Sequence, residues 1–114
     1  MESILDTIKK MLGIESDYTH FDIDIITNIN TAFLNLQQIG VGPKSGFSIT
    51  DNTTKWSDYI SGENLEAVKT YIYLKVRLLF DPPTNAFLVD AMERQIREIE
   101  WRLNVQVEGG DLNE

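Results

Sequence analysis

Pro82 and Pro83 stand side by side within a stretch that otherwise reads as helix on both sides. A residue that precedes proline avoids helical angles, and proline lacks the N–H that a helix interior needs. The upstream helix must therefore stop near Phe80. That segment carries Leu65, Val68, Ile72, Val76 and Leu79 at steps of three and four, with Tyr71, Leu78 and Phe80 extending the apolar surface. The downstream segment carries Leu88, Met92, Ile99 and Leu103 as a second stripe, with Val89 and Ile96 beside it. Thr84 or Asn85 supplies its N-cap. So short a corner predicts two helices folded back as an antiparallel pair, with little loop entropy lost.

Two further helices precede this pair. Ile4, Leu5, Ile8, Met11 and Leu12 lie at helical spacing within residues 2–12, and Gly13 is placed to end that helix. So short a helix is not stable alone and must dock. From Asp22 to Ile39 the stripe is Ile26, Ile29, Phe33 and Leu36, widened by Ile25, Ala32 and Ile39 and closed by Gly40. Asp17 and Thr19 are its candidate caps. The stretch "DIDII" alone alternates like a strand, but the longer periodicity outweighs it. Between Gly40 and Trp56 the chain is dense in Gly, Pro, Ser, Thr, Asn and Asp, which is loop chemistry. Phe47 and Ile49 alternate with polar residues there, as in a short extended piece. Trp56, Tyr59 and Ile60 suggest one helical turn packed on the core.

The expected fold is therefore all-α. It is a small bundle of three main helices plus a short N-terminal helix, with a long loop between helices 2 and 3 in chain order. Residues 1–104 form the helical domain, and residues 105–114 read as a flexible acidic tail. The chain of 114 residues is the size of one domain. It has no cysteine, which excludes disulfides and thiolate chemistry. A formal charge of −8 repels phosphates and argues against sequence-independent nucleic-acid binding. The N-terminus lacks the pattern of a signal peptide, and no apolar run approaches the ~20 residues of a membrane span. The expectation is a soluble intracellular or particle-bound protein.

Catalytic chemistry finds little support. His20 is the one histidine and lacks partners for base or ligand duty. Asp17, Asp22 and Asp24 lack calcium-loop spacing, and acids in a first helical turn are favoured by the helix dipole alone. Gly40, Gly42 and Gly46 follow a helix and form no phosphate loop. No enzyme activity, metal or cofactor is expected.

The last helix is more informative. Glu93–Arg97 and Glu98–Arg102 are i,i+4 pairs in the better orientation, and Arg94–Glu98 adds the reverse order. They fit either a solvated face or a lateral interface between copies. Trp101 lies two residues from both Ile99 and Leu103, so it points to a different face from the core stripe. An exposed tryptophan there is an interface anchor, unless it makes a second core contact. Candidate interface residues are Trp101, Arg94, Arg97, Glu98, Arg102, Val105, Val107 and Leu112. Lys44, Phe47, Ile49, Lys55 and Trp56 are candidates for a loop interface or a channel-facing surface.

The order of segments is a short helix ending "MLGI", then "FDIDIITNINTAFLNLQQIGVGP", a loop ending "KW", "YIYLKVRLLFDPP" and "QIREIEWRL". In this order, and most specifically in "FDPP" and "EIEWRL", the chain resembles the head–tail connector (adaptor) proteins of long-tailed bacteriophages and related prophages. The resemblance runs from about Ile4 to Leu103. It implies a non-enzymatic virion part assembled in the bacterial host cytoplasm. Such a part forms a ring on the portal protein, extends the DNA channel and docks the next neck or tail component. DNA passes through without specific binding. The alternative is a small helical adaptor or regulator that forms no ring.

Overall fold

The computed structural model describes residues 3–42, 47–60 and 62–111. Among them are four α-helices: α1 (Ile4–Met11), α2 (Asp22–Gln38), α3 (Leu65–Phe80) and α4 (Ala86–Asp111). The described residues contain no strand, only an isolated bridge between Ser3 and Lys55. The expected all-α bundle is present.

Both early helices end where a glycine follows. At the end of α2, Gly40 N–H donates to Gln37 O at 3.0 Å and Val41 N–H donates to Leu36 O at 3.0 Å. These paired bonds need a left-handed residue, and Gly40 supplies it with φ of 90°. A side chain there would also collide with Val107 of α4, whose Cγ1 lies 2.9 Å from the position of an added Cβ. The end of α1 repeats the bond pattern around Gly13, with Ile14 N–H donating to Lys9 O at 2.8 Å. α1 starts on Ser3, whose Oγ accepts from Asp6 N–H at 3.0 Å. α2 has no side-chain cap. Its first turn is held instead by Asp22, whose carboxylate lies 2.8 Å from Lys9 Nζ.

The core lies where α1, α2 and α3 meet. Ile4 and Ile8, Ile29 and Phe33, and Val68 and Ile72 are all fully buried in it. α2 and α3 run antiparallel, with Phe21 at the start of one and Phe80 at the end of the other in edge contact at 5.3 Å. Tyr71 sits fully buried in α3 and donates its phenol to Glu100 Oε2 at 2.6 Å. Residue 71 thus meets residue 100, while the two helices approach each other again at the corner of residues 81–85. The pair is therefore antiparallel, as the double proline requires. Asn85 caps α4, its Oδ1 accepting from Phe87 N–H at 2.8 Å and Leu88 N–H at 3.2 Å.

Three expectations change. Leu79 and Leu88, placed in core stripes by spacing, are 56% and 49% exposed. Each sits in a helical turn next to the corner. Residues 105–111, read as flexible tail, continue α4. The reason is local: Val107 extends the buried stripe of Ile96, Ile99 and Leu103 by one more turn and packs against Gly40. Asn104 also donates to Ile39 O at 3.4 Å.

Candidate functional site

The long loop is not a free surface. Asn30 of α2 reaches it with both ends of its amide, donating to Ile49 O at 2.9 Å and accepting from Ile49 N–H at 2.8 Å. This is how a segment without secondary structure satisfies its backbone while buried. Phe47 stacks on Phe33 with centroids 4.1 Å apart, and Tyr59 donates its hydroxyl to Ser48 O at 2.9 Å. Trp56 is fully buried in a 3-10 turn (Trp56–Asp58) and its indole N–H donates to Thr7 Oγ1 at 3.0 Å. Thr7 passes the chain on to Ser3 O at 2.7 Å. Phe47, Ile49 and Trp56 are therefore core residues, correcting their assignment to a loop interface or channel surface. Their apolar side chains face inward because Asn30 and Thr7 provide the polar partners that permit it. Lys55 alone of the described loop candidates is exposed. Lys44 lies outside the described residues.

Lys9 is the other buried polar centre. It is 1% exposed, and its ammonium donates to Ser16 O at 3.0 Å and Tyr18 O at 2.7 Å beside the Asp22 carboxylate. Two carbonyls accept from the ammonium and the Asp22 carboxylate supplies the opposite charge as an ion pair, which together offset the burial of a lysine. This clamp closes the α1–α2 connection and consumes Asp22. Among the described residues no group of three or more His, Asp or Glu side chains is placed to hold a metal ion. None of the described helices is long and apolar enough to cross a membrane.

α4 carries the surface that folding leaves unused. Its inner side, with Met92, Ile96 and Leu103 buried, packs on the bundle. The opposite side carries Phe87 at 87% exposure, Trp101 at 67% and Val105 at 45%. Ala91, Arg94 and Glu98 lie between them. At 100° per residue these six positions occupy a strip about 80° wide, roughly 160° from the buried stripe. Trp101 makes no second core contact of consequence; it stands on the outside. Of the expected ion pairs only Glu98–Arg102 forms among the described residues, at 2.7 Å. On an exposed face each pair is worth so little that water competes for the others. Arg94 and Arg97 are exposed, Val107 is half-buried on the inner side, and Leu112 lies outside the described residues. The residue reasoning from sequence passes over is Phe87. Its signal is the seven-residue step Phe87–Arg94–Trp101, which keeps one side of a helix.

A groove of about 550 Å³ lies between α1 and the residues that follow it, lined by Ser3, Asp6, Lys10 and Glu15. A second, of about 400 Å³, lies between α2, α3 and α4 over Leu78, Leu79 and Ile96, with Lys75, Glu93 and Glu100 on its walls. Neither gathers a nucleophile, base and oxyanion donor in one place. Within the core, burial first and then the Glu100 carboxylate push the Tyr71 phenol far above its ordinary range. That makes it a fixed donor rather than an acid–base group.

A family model described as phage connector protein matches residues 4–110. Neither the curated proteins nor the solved structures give a match. The matched span takes in all four helices but for the last residue of α4, and the chain belongs to the phage connector protein family. Membership makes it a structural component of the connection between phage head and tail, in contact with other head and tail proteins.

Proposed function

We propose that this connector assembles as a ring of copies on the portal protein, extends the DNA channel and offers its free side to the next neck or tail component. The observation that carries this reading is the second side of α4. Phe87, Trp101 and Val105 are exposed there on a helix whose inner side already satisfies the fold. Large aromatic side chains with arginines beside them are the composition of interface anchors. Arg94, Arg97, Glu98 and Arg102 supply charges of both signs to set register against a neighbour. A ring needs two different surfaces on each copy that meet head to tail. The exposed side of α4 is one, and the outward side of the loop around Lys55 is a candidate for the other. Val105 belongs to the first surface. The chain's charge of −8 supports passage of DNA without adhesion.

The test is imaging of the full chain mixed with its purified portal, with Trp101→Ala alongside. A ring seated on the portal, weakened by Trp101→Ala while thermal stability stays unchanged, is the expected result. A wild-type chain that ignores the portal at every concentration refutes the proposal. It would leave the reading of a small helical adaptor without a ring.

A further inference from the structure

The six outward positions of α4 are Phe87, Ala91, Arg94, Glu98, Trp101 and Val105, at steps of four, three, four, three and four. This is the seam of a two-stranded coiled coil, continued for two and a half heptads on a helix that is already folded. Read from its two ends, the seam is complementary in size and in charge. When a second copy is laid against it antiparallel, with the two-fold at Ile96, Phe87 meets the partner's Val105 and Ala91 meets the partner's Trp101. Arg94 meets the partner's Glu98, and Glu98 meets the partner's Arg94. A large residue always faces a smaller one, and each arginine faces a carboxylate. A parallel pairing places Arg94 on Arg94 and Glu98 on Glu98, so charge selects the antiparallel one. We infer that the free chain self-associates through this side of α4 as a two-fold antiparallel helix pair.

The surroundings allow the contact. The seam faces about 160° away from the stripe that packs on the bundle, so a second copy approaches without meeting α1 or α2. Glu98 uses one carboxylate oxygen on Arg102 at 2.7 Å, which leaves its other oxygen for the partner's Arg94. On one edge of the seam Leu88, half exposed, lies opposite the stem of the partner's Arg102 and covers it. On the other edge Arg97 meets the partner's Arg97 near the two-fold, the one unfavourable pair. The seam is about 27 Å long and its centre is polar, so the contact is weak, with a dissociation constant on the order of tens of micromolar. α4 is already ordered by α3, so no helix has to form on association. Such a contact joins like surfaces and closes at two copies. It therefore cannot itself build a ring, and it holds whether or not the ring of the preceding section exists.

The experiment is sedimentation of the full chain over about 1 µM to 1 mM, a range that brackets the expected constant. The expected species is a dimer whose formation shields Trp101, but not the buried Trp56, from a collisional quencher. Arg94→Glu and Glu98→Arg are exposed positions that leave circular dichroism unchanged, and each weakens the dimer by about tenfold or more. Their equimolar mixture restores wild-type affinity, and Arg97→Gln strengthens it. Orientation is read by cross-linking, which is clean because the chain has no cysteine. Val105→Cys oxidised alone gives no linked dimer, and mixed with Phe87→Cys it does. A chain monomeric at every concentration overturns the inference. So does a dimer indifferent to both charge reversals, or efficient linkage of Val105→Cys to itself.

Discussion

Asn30→Ala tests how the loop is held. Asn30 is half-buried and makes two bonds, at 2.8 and 2.9 Å, to the backbone of a residue that is 1% exposed. Truncation leaves the Ile49 N–H and C=O without partners, at a cost of about 1–3 kcal/mol each. The vacated amide leaves room for a water, which recovers part of that, so the expected loss is about 2–3 kcal/mol. For a domain of this size that lowers Tm by roughly 8–12 °C. Urea unfolding followed by circular dichroism measures the loss. Amide exchange locates it, because Ile49 should exchange faster by more than the global change, while Ile72 in α3 follows the global change alone. Asn30→Asp is the control. It keeps the acceptor for Ile49 N–H but sets a carboxylate against Ile49 O. It should be at least as unstable at neutral pH and recover as pH falls and the acid regains a donor. A variant Asn30→Ala within about 0.5 kcal/mol of wild type, with unchanged Ile49 exchange, would show that apolar anchoring by Phe47 and Ile49 alone orders the loop.

Tyr71→Phe should cost about 1–2 kcal/mol at neutral pH through loss of the bond to Glu100. Because the folded phenol holds its proton far above its unfolded value, wild-type stability should decline as pH rises past about 10, and Tyr71→Phe should remove that share of the decline. Replacing Pro82 and Pro83 together by alanine should destabilise by about 1–2 kcal/mol, through greater freedom of the unfolded chain, in equilibrium unfolding. Unchanged stability would show that the corner does not need them. Trp101→Ala should leave stability within about 0.5 kcal/mol, whereas Trp56→Ala should cost about 3–5 kcal/mol by calorimetry.

What was legible in the sequence was what depends on neighbours in sequence. Spacing located all four helices, the glycines after α1 and α2 marked their ends, and Asn85 was readable as a cap. What was not legible depends on partners far along the chain. Asn30 looks like one more polar residue on α2 until Ile49, nineteen residues away, is seen to need it. Lys9 in an amphipathic helix reads as solvated, yet the α1–α2 connection folds over it. The composition of residues 40–56 marks a loop, and Trp56 was expected on the core and lies there, but composition does not say that Phe47 and Ile49 turn inward. Leu79 and Leu88 fit their stripes yet are exposed, because a stripe does not say which of its turns finds a neighbour.

The two uses of the α4 surface compete, and the competition has a size. If Trp101 is occupied in a pair of free chains, only the unpaired chain is competent to join the portal. The apparent portal affinity then falls in proportion to the unpaired fraction. With self-association in the tens of micromolar, a chain at about one-tenth of that concentration is mostly unpaired and the loss is small. At several times that concentration the loss grows to a few-fold. A tighter pair should shift this balance: Arg97→Gln, which relieves the repulsion at the two-fold, should weaken apparent portal binding at high chain concentration and leave it unchanged at low concentration. A titration of portal at two chain concentrations reads this directly. An equal effect at both would mean that Arg97 acts on the portal contact directly and not through self-pairing.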